Sequence, residues 1–193
     1  MSRDQSWRTV DIVVAAALAV AFGVVFWAWN SVWEATKPVF ATVTPAQYII
    51  SGVWLIPAVL GALVIRKPGA ALFTELVAAT VSAILGSQWG LDTLLSGAIQ
   101  GAAAEFVFGA TLYSRWSLGV AIAAAAAAAV GEWLHDMPVY YATLDLGQQL
   151  VIGVFMLLSA VIIAGIGSWY LVRSLVQTGV LAQFASGRAQ QRV

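Results

Sequence analysis

Residues 12–33 read IVVAAALAVAFGVVFWAWNSVW, a run without a single charged side chain. About 20 such residues wound as a helix cross the hydrocarbon core of a bilayer. Five further stretches fit the same template: 48–65, 70–86, 93–113, 117–134 and 149–172. The third is the shortest and carries Glu75. No ten-residue segments of alternating polarity occur, which argues against an outer-membrane barrel. The expected fold is an all-α integral membrane protein, one six-transmembrane-helix bundle over residues 1–193 with a frayed cytoplasmic tail over 177–193. The opening run follows Arg3 and Arg8 as a signal peptide would. It is too long and too rich in Trp at its far end for one, and another span follows it.

Composition agrees. Of 193 residues, 61% are hydrophobic and 9% charged, against about 25% charged in water-soluble domains. Nine basic residues balance nine acidic ones, so there is no basic surface for nucleic acid. The chain has no cysteine, which excludes disulfides, thiolate catalysis and Cys-ligated metal centres. Position is more informative than balance. With the N-terminus inside, Arg3, Arg8, Arg66, Lys67, Arg115, Arg173, Arg188 and Arg192 face the cytoplasm and only Lys37 lies outside. Basic loops resist translocation, so both termini are expected inside (N-in/C-in).

The expected external segments 34–47 and 135–148 are longer than the internal turns and carry Pro38, Pro45 and Pro138, which places elaboration outside. Small residues recur at four-residue intervals. The first helix has Ala15, Ala19 and Gly23 on one stripe and Ala17 and Ala21 on another; the fourth has Gly97, Gly101 and Gly109. Such stripes let membrane helices approach closely, within the bundle or against a partner.

Carboxylates inside a span cost roughly 2.5–3.5 kcal/mol on insertion scales and are functional candidates for that reason. Glu75 lies about 12 Å from the inner end at Lys67, and Glu105 about 20 Å below Asp92, at 1.5 Å per residue. Gln100 sits higher, and Glu132 is expected near the outer mouth of the fifth helix. A buried structural carboxylate is the alternative for each glutamate. Six of the nine tryptophans gather toward the outer half: Trp27, Trp29, Trp33, Trp54, Trp89 and Trp133. Some belong to the interfacial belt; the rest, with Gln100, Glu132 and Tyr48, would wall an outward-facing pocket. Aromatic faces with carboxylates suit a flat cationic or amine-bearing ring.

Enzyme signatures are thin. The single His135 adjoins Asp136 without a second histidine, and no HExxH, G-x-S-x-G or phosphate loop occurs. Absent an ATP-binding motif, active transport would draw its energy from elsewhere. Two other classes stay open at this point: a proton-coupled secondary transporter working through its buried glutamates, though no internal repeat supports one, and a membrane enzyme using His135.

The stretch 67–79, KPGAALFTELVAA, with 85–90, LGSQWG, and 96–105, SGAIQGAAAE, resembles the YkoE-like family. Gln88 stands where that pattern has proline. These proteins are substrate-capture (S) components of energy-coupling factor (ECF) transporters, linked to thiamine and its hydroxymethylpyrimidine precursor. The resemblance implies a non-enzymatic subunit without a cofactor of its own, capturing a vitamin outside. Its implied partners are a transmembrane coupling protein and two cytoplasmic ATPases that use the ATP. Docking through small residues on the first helix maps onto Ala15 and Ala19, with Ala17 and Ala21 as the alternative pair. The expected substrate contacts are Glu75, Gln100 and Glu105 as a polar floor, Trp89 and Trp133 as walls, and Glu132 near the mouth.

Overall fold

The computed structural model describes residues 5–188. Of the cations expected on the inward face, Arg3 and Arg192, and the side chain of Arg188, lie outside the described residues. Among the described residues there is no strand. Helix α1 spans Thr9–Thr36. Helix α2, Thr44–Ile65, is wound as a 3₁₀ helix over Thr44–Leu55 and as an α-helix over Ile56–Ile65. Then come α3 (Ala70–Ile84), α4 (Asp92–Ala110) and α5 (Leu118–Tyr140). Helix α6, Leu146–Gln177, contains a π-helical stretch at Ala160–Gly167, and a short α7 covers Ala185–Arg188. Four of these are long and apolar enough to cross a membrane: α1, α2, α5 and α6.

The α-helical half of α2 is apolar all round and is therefore the core of the bundle. Every residue from Pro57 to Ile65 is buried. Helix α3 packs on α2, α1 and α4, and α5 joins α4 to α6. Small residues set the spacings. A Cβ on Gly61 would stand 2.2 Å from Thr74 Oγ1, one on Gly97 2.5 Å from Ala79 Cβ, and one on Gly23 2.4 Å from Val81 Cβ. Helix α5 buries Ala121, Ala124, Ala125 and Ala128, and Gly165 of α6 seats against Ile122 and Ala125.

On α1 this packing consumes one candidate docking stripe. Ala15 and Ala19 are fully buried on the face that meets α3, so they are closed to a partner. Ala17 and Ala21 are exposed, among Val13, Val20 and Val24. The alternative pair is the one left open.

Two further expectations are corrected. Helix α5 does not end at residue 134 but continues through Pro138 to Tyr140, which draws His135 and Asp136 into the helix. Of the expected tail, the described part up to residue 188 is not frayed, the rest lying outside the described residues: Leu181 and Phe184 are buried, and the Ser186 hydroxyl donates to the Val64 carbonyl at 3.1 Å. Those apolar side chains cover the C-terminal end of α2. Beside them Asp11 accepts from Arg8 (2.6 Å) and Lys67 (2.8 Å), Lys67 also donates to the Ser6 carbonyl, and Trp7 donates to Pro68 O at 2.8 Å. The basic residues Arg8, Arg66, Lys67, Arg115 and Arg173 thus flank one end of the bundle, at helix termini and the turns joining α2 to α3 and α4 to α5.

Candidate substrate pocket

At the opposite end a cavity of about 580 Å³ opens between α1, α2, α3, α4 and α5. Its deep polar residues sit at one level for a simple geometric reason. Glu75 is nine residues below the end of α3 at Ile84, Gln100 eight below the start of α4 at Asp92, and Glu132 eight before the end of α5 at Tyr140. At 1.5 Å per residue each lies about 12–14 Å in. Glu132 is therefore at the floor and not near the mouth, because α5 runs on past residue 134.

Glu75 is fully buried. Its Oε2 accepts from the Ala58 N–H at 2.9 Å, in the first turn after α2 changes from 3₁₀ to α winding at Ile56. Its Oε1 is buried without a hydrogen-bond partner, as is Glu132 Oε2. Glu132 lies within electrostatic reach of Glu75 and Asp136. Gln100 lines the same floor and donates to Ser96 Oγ at 2.8 Å.

The walls are aromatic and continuous. Tyr141, Tyr48, Trp33, Trp54 and Trp89 form a chain of edge-to-face neighbours with centroid separations of 6.0, 5.1, 5.2 and 5.3 Å, an arrangement that satisfies the ring quadrupoles. All five line the cavity. Tyr48 and Trp54 both meet Trp33 because their segment is a 3₁₀ helix. With three residues per turn, positions six apart point the same way; in an α-helix they would diverge by about 120°. Asn30 anchors this wall, accepting from Trp54 Nε1 at 3.2 Å and reaching Ser87 Oγ at 3.4 Å.

Around the mouth, Tyr140 donates to Asp92, and His135 Nδ1 lies 2.9 Å from Asp136 Oδ1. An exposed Lys37–Glu34 pair closes at 2.7 Å. The Tyr141 hydroxyl, just past the end of α5, has its pKa raised above the usual tyrosine value, chiefly by burial, so it remains a neutral donor.

Of the six expected contacts, Glu75, Trp89, Gln100 and Glu132 come together around the cavity. Glu105 and Trp133 do not. Glu105 sits toward the end of the bundle opposite the cavity, where Oε1 accepts from Gly69 N–H (2.7 Å) and the Tyr113 hydroxyl (2.8 Å), and Oε2 from Ala71 N–H (2.8 Å) and Leu72 N–H (3.4 Å). It caps the start of α3, satisfying donors that no helical carbonyl can reach. Trp133 turns to α6, donating to the Gln149 carbonyl at 2.8 Å across Gly153. The residues not anticipated are Asn30, Ser87 and Asp136. Asn30 carries a legible signal, being the polar member of the buried stripe Ala15, Ala19, Gly23, Phe26.

The family model described as "ABC-type cobalt transport system, permease component" matches residues 10–131. The chain is 34% identical over 185 residues to the protein named "Putative HMP/thiamine permease protein YkoE" of Bacillus subtilis (strain 168), covering 95% of this chain and 92% of that one. A solved structure titled "Crystal structure of an S-component of ECF transporter" superposes with a TM-score of 0.91 at 34% identity, covering 97% of this chain and 94% of the other. Family and fold are those of multi-pass membrane transport components and not of enzymes. The chain belongs to the ABC-type cobalt transport permease family, in its branch of ECF-transporter S components.

Proposed function

We propose that this chain captures thiamine, or its hydroxymethylpyrimidine precursor, at the outer face of a bacterial plasma membrane and delivers it inward through an ATP-driven coupling module. The observation that carries the reading is the cavity itself: a wall of five aromatic rings above a floor of two glutamates and a glutamine. Thiamine is a fixed-charge thiazolium joined to an aminopyrimidine. The rings attract the cation and stack on the flat heterocycles, and the carboxylates accept the amine.

A cobalt cargo fits less well. Among the described residues no group of three or more His, Cys, Asp or Glu is arranged to hold a metal ion, and an aromatic wall offers cobalt no ligand.

The bundle crosses the membrane six times with both termini inside. The cations at the end opposite the cavity support that orientation. The short α3 and the polar-floored α4 span by packing against their neighbours. The chain itself has no cofactor; the partners are a transmembrane coupling protein and two ATPases, docked on the outer stripe of α1 at Ala17 and Ala21.

The test is ligand titration of the purified chain by tryptophan fluorescence. Thiamine or hydroxymethylpyrimidine quenches, and Glu75→Gln weakens the interaction at least tenfold. An unchanged affinity in Glu75→Gln removes the role assigned to charge. Uptake by vesicles holding this chain alone, driven by a proton gradient, overturns the coupling reading.

A further inference from the structure

We infer that the cavity takes up a fixed-charge cation in exchange for a proton: Glu75 keeps its proton while the cavity is empty and yields it to the outside water when the cation enters. The inference rests on the functional reading above and adds a second, exchanging ligand to it.

The charge inventory of the cavity leads there. At the rim, α1 supplies Glu34 and Lys37, which pair with each other at 2.7 Å. Asp92 of α4 and Asp136 of α5 share His135, whose Nε2 lies 3.3 Å from Asp92 and whose Nδ1 lies 2.9 Å from Asp136. Tyr140 donates to Asp92 as well. The other titratable side chains facing the cavity, Tyr48 and Tyr141, are phenols that carry no charge near neutrality. That leaves two acids, Glu75 of α3 and Glu132 of α5, without a cation. Among the described residues that line the cavity, Lys37 is the single Lys or Arg, and it is already paired.

Glu75 is fully buried and Glu132 is 5% exposed, each within electrostatic reach of the other. Two carboxylates buried together with no counter-ion are prohibitive, and acids that share a site do not both ionise. The empty cavity avoids the cost by holding the pair as neutral carboxyl groups. On Glu75 the proton belongs on Oε1, which is buried without a partner, because Oε2 accepts the Ala58 N–H at 2.9 Å. That same bond makes Glu75 the readier of the two to ionise, since a backbone donor favours the charged form. Glu132 has acids on two sides, Glu75 and Asp136, and stays neutral.

A ligand whose positive charge is permanent tips this balance. An opposite charge within about 4–6 Å of an acid favours its carboxylate. The Glu75 O–H bond breaks, its electron pair stays on the oxygen, and the proton passes to water. One positive charge has entered and one has left, so the net charge of the cavity is unchanged. A neutral ring brings no charge and displaces no proton. The two candidate cargoes differ in this respect: thiamine has the fixed thiazolium charge and hydroxymethylpyrimidine does not.

The experiment titrates the purified full chain by calorimetry with thiamine and with free hydroxymethylpyrimidine near neutral pH, in two buffers of different ionisation enthalpy, so that the difference in heat counts the protons released. One exchanging acid predicts release approaching about one proton per thiamine and fewer than about 0.2 per hydroxymethylpyrimidine. Because the thiamine complex holds one proton less than its separate parts, thiamine affinity should rise with pH, by about tenfold per pH unit at its steepest, while that of the neutral pyrimidine changes less than about threefold. In Glu75→Gln the release and the pH dependence should vanish; with His135 as the source, both would persist. Difference infrared spectra of the unsubstituted chain make the same check without a variant. Thiamine should remove the carbonyl band of a protonated carboxyl group, and hydroxymethylpyrimidine should leave it in place. Thiamine that binds without releasing a proton, or with that band unchanged, overturns this inference and leaves the functional reading intact, as does release that persists in Glu75→Gln. If neither compound binds, both readings fall.

Discussion

Glu105 offers the sharpest separation between a structural and a ligand-binding carboxylate. Its two oxygens accept from three backbone N–H groups at the start of α3 and from the Tyr113 hydroxyl. A hydrogen bond to a charged group contributes about 1.5–3 kcal/mol when fully buried. Glu105 is only half-buried, and water at the bundle end can replace part of each bond, so about 0.5–1 kcal/mol per bond is the appropriate scale. Loss of a negative charge at a helix N-terminus adds roughly 0.3–1 kcal/mol. Glu105→Ala should therefore destabilise by about 2–5 kcal/mol, or roughly 5–20 °C in Tm at the 2–4 °C per kcal/mol of chains this size. Glu105→Gln, which keeps one acceptor but turns an amide N–H₂ toward donors, should fall between. The assay is thermal unfolding of the detergent-solubilised protein, paired with thiamine titration well below the transition. The expected outcome is a lowered Tm with thiamine affinity within threefold of the parent. An unshifted Tm, or affinity lost by tenfold in a protein still folded, would refute the capping role and return Glu105 to the pocket.

Other perturbations test other links. Ala17→Leu with Ala21→Leu should abolish co-purification with the coupling protein while leaving ligand binding unchanged; Ala19→Leu should instead destabilise the chain by about 1–3 kcal/mol, since it overpacks a buried position. Gly101→Val places methyls against Glu75 Cβ and Leu72 Cα, each 3.0 Å from where a Cβ on that glycine would stand, and should lower both Tm and affinity because it pushes the α3 carboxylate off the floor. Phe184→Ala should cost about 3–5 kcal/mol if the segment after α6 is part of the core; a thermal scan indistinguishable from the parent would make that segment an ornament. Ser159→Ala should weaken thiamine binding more than threefold and lower stability by about 1–3 kcal/mol, measured by the same two assays.

The all-helical bundle was legible because apolar run length is read directly against bilayer thickness, and each expected stretch overlaps a helix, four of them long and apolar enough to span. The basic residues were legible for a similar reason, since they punctuate the runs. Facing was harder. Ala15 and Ala17 look alike in sequence, and only the packing of α1 against α3 decides which is buried. Glu75 and Glu105 also look alike, each a lone acid in an apolar helix. They differ in what stands across from them: the cavity in one case, and in the other the N–H groups of Gly69, Ala71 and Leu72 at the start of α3, where Gly69 has φ 84°. Pro138 has the character of a loop residue, but late in a helix it removes a bond without ending the helix at once, so α5 outlasts its expected end and carries Glu132 to depth. The segment after α6 looks polar enough to fray, yet Leu181 and Phe184 are spaced to cover one patch, and a pair of apolar side chains is too small a signal to weigh against its flanking glycines.

An aromatic pocket was expected, but helical period hid how its rings meet: at 3.6 residues per turn, Tyr48 and Trp54 fall on different faces of α2. Three residues per turn aligns them, and something must hold that tighter winding over Thr44–Leu55, since 3₁₀ runs beyond three or four residues are uncommon. The structure supplies it from α6. The Ser159 hydroxyl accepts from the Gly52 N–H at 2.8 Å and donates to the Ile49 carbonyl at 2.7 Å, so it stands between the donor and acceptor of one i, i+3 pair. Only glycine fits opposite: a Cβ at position 52 would lie 2.5 Å from the Ser159 carbonyl. Ser159 is the last residue before α6 widens into its π-helical stretch, so a loosened helix and a tightened one meet at a single hydroxyl. Pocket geometry in this chain thus depends on a residue that does not line the pocket, and the ring chain from Tyr141 to Trp89 stays closed only while α2 keeps a period that its sequence does not announce.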